Sequence, residues 1–266
     1  MALSASDILR LLTDTERACL DQIEAFESID STNTHLLEQP APRAGQFRAA
    51  IADYQTQGRG RYGRRWIAPP GAALCLSVAG TFGDPPGNLP SLTLAMGVSV
   101  AAALRTLGVG DVALKWPNDV VACDGKLGGI LTEVSRRGPS GCTVVVGLGL
   151  NIDLPPAMID APEGRWASKI TDLKGCVDAL PSNAQLGTGL LQCMLATFTR
   201  FESDGFAAFC DAWRDYDWLK GRHVSVPQAE DTVEGRAKGI DADGALLVET
   251  TEGTRHIFTG SVTIVE

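Results

Sequence analysis

The chain predicts an α+β fold, a mixed sheet flanked by helices followed by a small all-β unit. Apolar, β-branched runs recur between residues 47 and 153, with long helical patterns between and after them. Beyond Trp218 the texture changes to short strands separated by turn signals, enough for a barrel of roughly fifty residues. Hydrophobic residues make up 44% of the chain and charged residues 21%, so a packed core is expected. The boundary at Trp218 divides the chain into 1–218 and 219–266.

In order, residues 1–26 predict a short amphipathic helix, with Ile8, Leu11, Leu12, Ala18 and Leu20 near helical spacing. A second helix is expected from Thr34 to Glu38, behind the small polar run Ser31, Thr32, Asn33. Those three residues suit a helix N-cap, and they equally suit the orientation of a neutral polar ligand. Strands are expected over Phe47–Thr56 and Ala73–Phe82, and then a core helix from Ser91 to Leu107 stopped at Gly108. The run from Val112 to Ser135 reads as two strands joined by a turn around Asp124-Gly125. Thr143–Asp153 is a further strand. Residues 154–181 are loop-like, and two helices follow, Ala184–Glu202 and Gly205–Tyr216. The helices are expected on one side of the sheet.

The net charge is -9, which opposes a broadly basic nucleic-acid footprint. Against that background Gln55–Trp66, QTQGRGRYGRRW, concentrates Arg59, Arg61, Arg64 and Arg65 among Gly58, Gly60 and Gly63. Glycines uncover backbone N–H groups and arginines add planar charged forks, so the loop suits an anion. The plainer reading is a solvated basic loop. The same glycines match G-x-G-x-x-G, but the following Pro69 and Pro70 forbid the helix that a dinucleotide fingerprint requires. No HRD or DFG and no phosphate-binding G-x-x-x-x-G-K-[ST] run occurs.

The seven cysteines are scattered without a C-x-x-C pair, which suggests reduced thiols in a cytoplasmic protein. With three histidines, none beside a cysteine pair, zinc ligation has no support. The N-terminus lacks the pattern of a signal peptide or membrane span, and no membrane partner is expected.

Two further stretches carry chemistry. KWPND, Lys115–Asp119, sets a cation, an aromatic ring, a proline and two polar side chains at a strand end, with Trp116 suited to plain core packing. GKLGGIL, Gly125–Leu131, joins Lys126 to Gly128 and Gly129, ahead of Ile130. Glycines inside a strand mark close backbone approach, and Lys126 beside them reads as a second cation aimed at the same anion, not as a surface charge. GLGLN ends in Asn151 in the same manner.

Taken in order, S-T-N, G-R-G-R-x-G-R-x-W, K-W-P-N-D, K-x-x-G-I-L-x-E and G-x-G-x-N, closed by a small β-barrel, resemble bacterial biotin protein ligases over almost the whole chain. The resemblance implies a class II aminoacyl-tRNA-synthetase-like catalytic domain and an SH3-like C-terminal domain. It implies activation of biotin by ATP, with Mg2+, to biotinyl-5′-adenylate, and transfer to one lysine of a biotin carboxyl carrier protein. Family matching puts Ser31, Thr32, Asn33, Gln55, Gly58, Arg59, Lys126, Gly128 and Gly129 at biotin. Arg61, Arg64, Trp66, Asn118, Ile130, Asn151 and Trp166, with Lys126, fall on the adenylate side. Lys126, Arg59 and Arg61 are the catalytic cations, and Asp119 is assigned to the metal or the acceptor lysine. Too few residues precede Ser31 for a DNA-binding domain, so a ligase without a DNA partner is expected, and a homodimer is allowed for. A lipoate-ligase-like acyl-adenylate transferase, an inactive biotin-binding homologue and an RNA-binding module are the alternatives. Acidic balance and the lack of an aromatic ladder oppose the last.

Overall fold

Where the sequence predicts one N-terminal helix, the chain makes two helices and a strand. This computed structural model describes residues 4–85, 87–138, 141–159 and 169–265. Helix α1 spans Ala5–Leu11 and α2 spans Asp14–Cys19. Thr13 separates them because it builds a capping box, its hydroxyl accepting from Glu16 N at 3.3 Å while its own N–H donates to Glu16 Oε2 at 2.8 Å. Residues Leu20–Phe26 then form strand β1. Its Asp21, Gln22 and Glu24 do not read as a strand, but the open edge of β2, Phe47–Ala52, supplies a parallel ladder, and tertiary pairing overrides local preference.

The large sheet runs β1-β2-β3-β7-β6-β5-β4, with β8 paired to β6. Helix α3, Thr32–Glu38, precedes β2, and β3 covers Ala73–Phe82. Helix α4, Leu92–Thr106, leads to β4, Ala113–Lys115, and β5, Asp119–Ala122. Strands β6, Gly125–Gly138, and β7, Gly141–Asn151, are the long central pair. KWPND therefore does not lie within one strand. It makes the β4–β5 turn, with a cis Trp116–Pro117 bond, so this region holds three strands where two are predicted. The stretch read as loop holds α5, Pro156–Ile159, and β8, Lys169–Ile170. Helices α6, Asn183–Asp204, and α7, Cys210–Tyr216, follow.

The two faces of this sheet are packed differently. Ile51, Leu76, Val78, Val144, Val146 and Leu148 join α1, α4, α6 and α7 in the main core. Their strand neighbours Ala50, Ala79 and Val145 instead pack with Leu36 of α3. Helix α3 thus sits on the opposite face, against the expectation of helices on one side only. It covers one end of that face. The stretch Leu89–Thr106 is long and apolar enough to cross a membrane by composition, and here its helix packs against α6, α7 and β6.

The second sheet, order β12-β11-β10-β9-β13, is antiparallel throughout. It comprises β9, His223–Pro227; β10, Thr232–Ile240; β11, Leu246–Thr250; β12, Gly253–Ile257; and β13, Thr263–Ile264. In β10 every second residue is buried, the period-2 pattern of a strand with one face on a core. This sheet is tied to the first at the β4–β5 region: Trp116 Nε1 donates to Gly244 O at 3.0 Å and Trp218 N to Leu114 O at 3.0 Å.

Candidate active site

The face of the large sheet not covered by the main helical layer opens into a cavity of ≈ 1380 Å³. Register explains the opening. Cys75 pairs with Gly149 and Gly149 with Gly129, while Ser77 pairs with Gly147 and Gly147 with Leu131. Apart from Leu131, small residues therefore line up across three strands on one face. Two of the glycines are taken up by side chains packed on the backbone: a Cβ at Gly147 would overlap Asn33 Oδ1, and one at Gly149 would lie 2.5 Å from Trp66 Cε2. Asn33 and Trp66 are thereby seated on the cavity floor.

One end of the cavity is a chain of neutral hydrogen-bonding groups. Gln55 Oε1 accepts from Thr32 N at 2.7 Å. Thr32 Oγ1 lies 2.7 Å from Ser77 Oγ, which donates to Asn33 Oδ1 at 2.6 Å. Thr32 Oγ1 also donates to Gln55 Oε1 at 3.0 Å, so its one hydrogen serves both Gln55 and the Ser77 contact. Asn33 Nδ2 then donates to Glu133 Oε2 at 2.8 Å, and Glu133 also receives Arg59 Nη2 at 2.7 Å. Ser31 caps α3, its Oγ accepting from Thr34 N at 3.4 Å, and its own hydroxyl hydrogen is left to donate. Ser31, Thr32 and Asn33 are all buried. Burial pushes the Cys75 thiol up to about 12, with Trp66 and Gln55 against it, so it is an inert part of the floor.

The other end is cationic. Lys126 Nζ lies 2.9 Å from Asp119 Oδ1, with Asp119 only 4% exposed, and stands 5.9 Å from the Trp66 ring centroid. Lys115 is also buried, and burial lowers its pKa while Asp119 acts to raise it. Arg61 Nη1 donates to Asn118 Oδ1 at 3.4 Å and to Gly260 O at 3.3 Å, and burial lowers its pKa. Arg64 Nη2 donates to Ser261 Oγ at 2.9 Å. Several cations held in one partly buried cavity are suited to an anion that arrives with its own charge.

The structure brings most of the sequence-selected residues to this cavity: Ser31, Thr32, Asn33, Gln55, Arg59, Arg61, Arg64, Trp66, Asn118, Asp119, Lys126, Gly129, Ile130 and Asn151 line it. Gly58 and Gly128 do not. Gly58 closes the arginine loop, accepting from Trp66 N at 2.9 Å, and a Cβ there would lie 2.5 Å from Trp66 O. Gly128 lets β6 approach β7, where a Cβ would lie 2.6 Å from Gly149 O. The Ile130 side chain belongs to the main core, and its backbone holds Asn118 through two hydrogen bonds of 2.9 Å. Asn151 straps β6 to β8, Nδ2 donating to Lys126 O and Thr171 O. Trp166 lies outside the described residues. Sequence reasoning missed Ser77, hidden in an apolar strand, and gave no role to Glu133, the last residue of the K-x-x-G-I-L-x-E motif. It also missed the wall from Gly260 to Thr263, which carries no motif and reaches the arginine loop from the far end of the chain. Among the described residues no group of three His, Cys, Asp or Glu side chains could hold a metal ion.

Known proteins share this architecture. Residues 25–151 match the Biotin/lipoate A/B protein ligase family, and residues 220–264 match the Biotin protein ligase C terminal domain. The chain is 34% identical to the biotin--[acetyl-CoA-carboxylase] ligase of Mycobacterium tuberculosis over 91% of this chain and 88% of that protein. It is 34% identical to the bifunctional ligase/repressor BirA of Escherichia coli over 83% of this chain and 67% of the relative. Its fold is similar to that of the biotin protein ligase from Aquifex aeolicus in complex with biotin and ATP, with TM-score 0.77 and 26% identity, covering 92% of this chain and 99% of the other.

Proposed function

Because the chain belongs to the biotin/lipoate A/B protein ligase family, we propose that its cavity joins biotin to AMP and then to a protein lysine. The protein is an ATP-dependent biotin protein ligase: it activates biotin to biotinyl-5′-adenylate and transfers the biotinyl group to a biotin carboxyl carrier protein. The observation that carries this reading is the division of one cavity into a neutral hydrogen-bonding end and a cationic end. Biotin is a neutral ureido ring system ending in a carboxylate, and the adenylate adds a phosphate to that end.

In the reaction we infer, Ser31, Thr32 and Gln55 face the ureido group and Asn33 fixes the floor beneath it. A biotin carboxylate oxygen attacks the α-phosphorus, forming a mixed anhydride and expelling pyrophosphate. Lys126 meets the charge that grows between carboxylate and phosphate, and Asp119 holds Lys126 in place. Arg61 and Arg64, fixed by Asn118, Gly260 and Ser261, take the nucleotide side, and Trp66 packs beside them. Arg59 is paired with Glu133 and would turn to the anion when the site fills. The acceptor amine then attacks the acyl carbon and AMP leaves. Mg2+ is expected with ATP; among the described residues no group of three His, Cys, Asp or Glu side chains could cage it, so the ion would enter with the phosphates.

At a finer level we assign the large sheet to the class II aminoacyl-tRNA-synthetase-like architecture and the C-terminal sheet to an SH3-like barrel. The free state of the seven cysteines fits a reducing cytoplasm. ATP–pyrophosphate exchange tests the activity: biotin should elicit it and lipoate should not, and a carrier domain should then be labelled on lysine. Exchange with lipoate alone would reassign the substrate.

A further inference from the structure

Glu133 does not line the cavity, yet two of the residues that do, Asn33 and Arg59, share one of its oxygens. It stands two residues past Leu131 on the same face of β6, beyond the floor. Its Oε2 accepts from Asn33 Nδ2 at 2.8 Å and from Arg59 Nη2 at 2.7 Å. An ionised carboxylate has no hydrogen to give, so the Asn33 amide must turn its nitrogen toward Glu133. The other Nδ2 hydrogen reaches Leu131 O at 3.3 Å. Asn33 Oδ1 is thereby left facing Ser77, whose single hydrogen it takes at 2.6 Å. Ser77 Oγ then receives across its 2.7 Å contact with Thr32 Oγ1, and Thr32 turns its own hydrogen inward, to Ser77 and Gln55. Among the described residues nothing donates to Thr32 Oγ1, so its lone pairs remain for whatever enters the cavity. Ser31 has the opposite character: its Oγ already accepts from Thr34 N, and its hydrogen remains to be given.

We propose that Glu133 is a positioning residue that fixes the direction of this chain of hydrogen bonds, so that the neutral end selects a substrate carrying an N–H beside a carbonyl oxygen. Were the Asn33 amide reversed, Asn33 would donate to Ser77 and Ser77 to Thr32. The Thr32 oxygen would then meet the ligand with one lone pair already taken. With Glu133 in place Thr32 accepts and Ser31 donates, two buried neighbours at the start of α3. A cyclic urea supplies the matching donor and acceptor side by side, whereas a dithiolane ring supplies neither. On the biotin reading of the cavity, on which this role rests, Glu133 touches no reacting atom and acts through Asn33, Ser77 and Thr32. The role persists when Arg59 turns to the anion, because Asn33 keeps its acceptor.

Titration calorimetry of the full chain with biotin tests the role. Glu133→Gln keeps an acceptor oxygen in place of the carboxylate and should leave biotin affinity within about threefold of the wild type. Glu133→Met keeps the reach of the side chain but removes the acceptor, and should weaken biotin about tenfold. Should Met fail to pack, Glu133→Ala reads the same loss. In pyrophosphate exchange that loss should fall on KM for biotin, with kcat nearly unchanged. In a Thr32→Val background, which lacks the hydroxyl that Glu133 directs, Glu133→Met should add less than about twofold. Equal losses from Gln and Met at position 133 would make the ion pair with Arg59 the cause and overturn the role. So would additive losses in the double variant, or a folded Glu133→Met protein that binds biotin like the wild type. A wild type that binds no biotin would instead remove the substrate reading itself, and this role with it.

Discussion

Lys126 and Asp119 illustrate why a charge placed by sequence has to be understood through its partner. Removing Lys126 alone strips a cation from the reaction and takes from buried Asp119 its 2.9 Å ion-pair partner, which Lys115 and Arg61 offset only in part, at a cost of a few kcal/mol in comparable pairs. Lys126→Ala should lower adenylate formation by about 10²–10³ while biotin affinity changes less. The double variant with Asp119→Asn should recover folding stability but not turnover, measured by denaturant unfolding beside pyrophosphate exchange. Ser77 makes a second case. Ser77→Ala leaves Asn33 Oδ1 and the Thr32 hydroxyl without their shared partner and should cost about 1–3 kcal/mol in stability, with weaker biotin binding by titration calorimetry. The sequence exposes Lys126 through its neighbouring glycines. It hides Ser77, because a single serine in an apolar strand looks the same whether it faces a ligand or a neighbour's backbone.

At the scale of elements, the glycines of β7 are legible as close approaches, but what approaches is not. The sequence reads them only as delivering Asn151 at a strand end, whereas the structure seats Asn33 on Gly147 and Trp66 on Gly149. Gly149→Ala should therefore keep the fold, shift the Trp66 ring and weaken adenylate binding at least several-fold. A crystal structure of the variant and a competition assay would show both, and an unmoved Trp66 would contradict the seating. The strands β3 and β7 and the helix α4 announce themselves by long apolar runs of the right period. Strand β1 does not, since its stability comes from the edge it pairs with and not from its own residues. The break between α1 and α2 was in principle readable from Thr13 and Glu16, three apart ahead of a short helix.

For the whole molecule, a change of texture after Trp218 is visible in the sequence, but the way the second sheet completes the cavity is not. Arg61, Tyr62 and Arg64 meet Gly260, Thr259 and Ser261 across nearly two hundred residues of sequence, a separation no local pattern encodes. Asp217 stands elsewhere, bridged to Leu114 of β4, and burial raises its pKa, against the hydrogen bond it accepts from Leu219 N. A carboxyl whose folded pKa is raised favours the fold below its unfolded pKa, about 4, and that contribution is lost as pH rises through the folded value. Asp217→Asn should melt above the wild type at pH 7, and the gap should close as pH falls toward about 4, followed by thermal unfolding. The two-faced central sheet has a further consequence for evolution and engineering. Cys75, Ser77, Leu131 and Gly149 lie on the cavity side, while Leu76, Val78, Val144 and Val146 pack with the helices. Alternate positions of the same strands thus belong to different selective pressures. A library confined to one parity can change which acyl group is accepted, another confined to the other parity can raise heat tolerance, and where the positions share no contacts the gains should add.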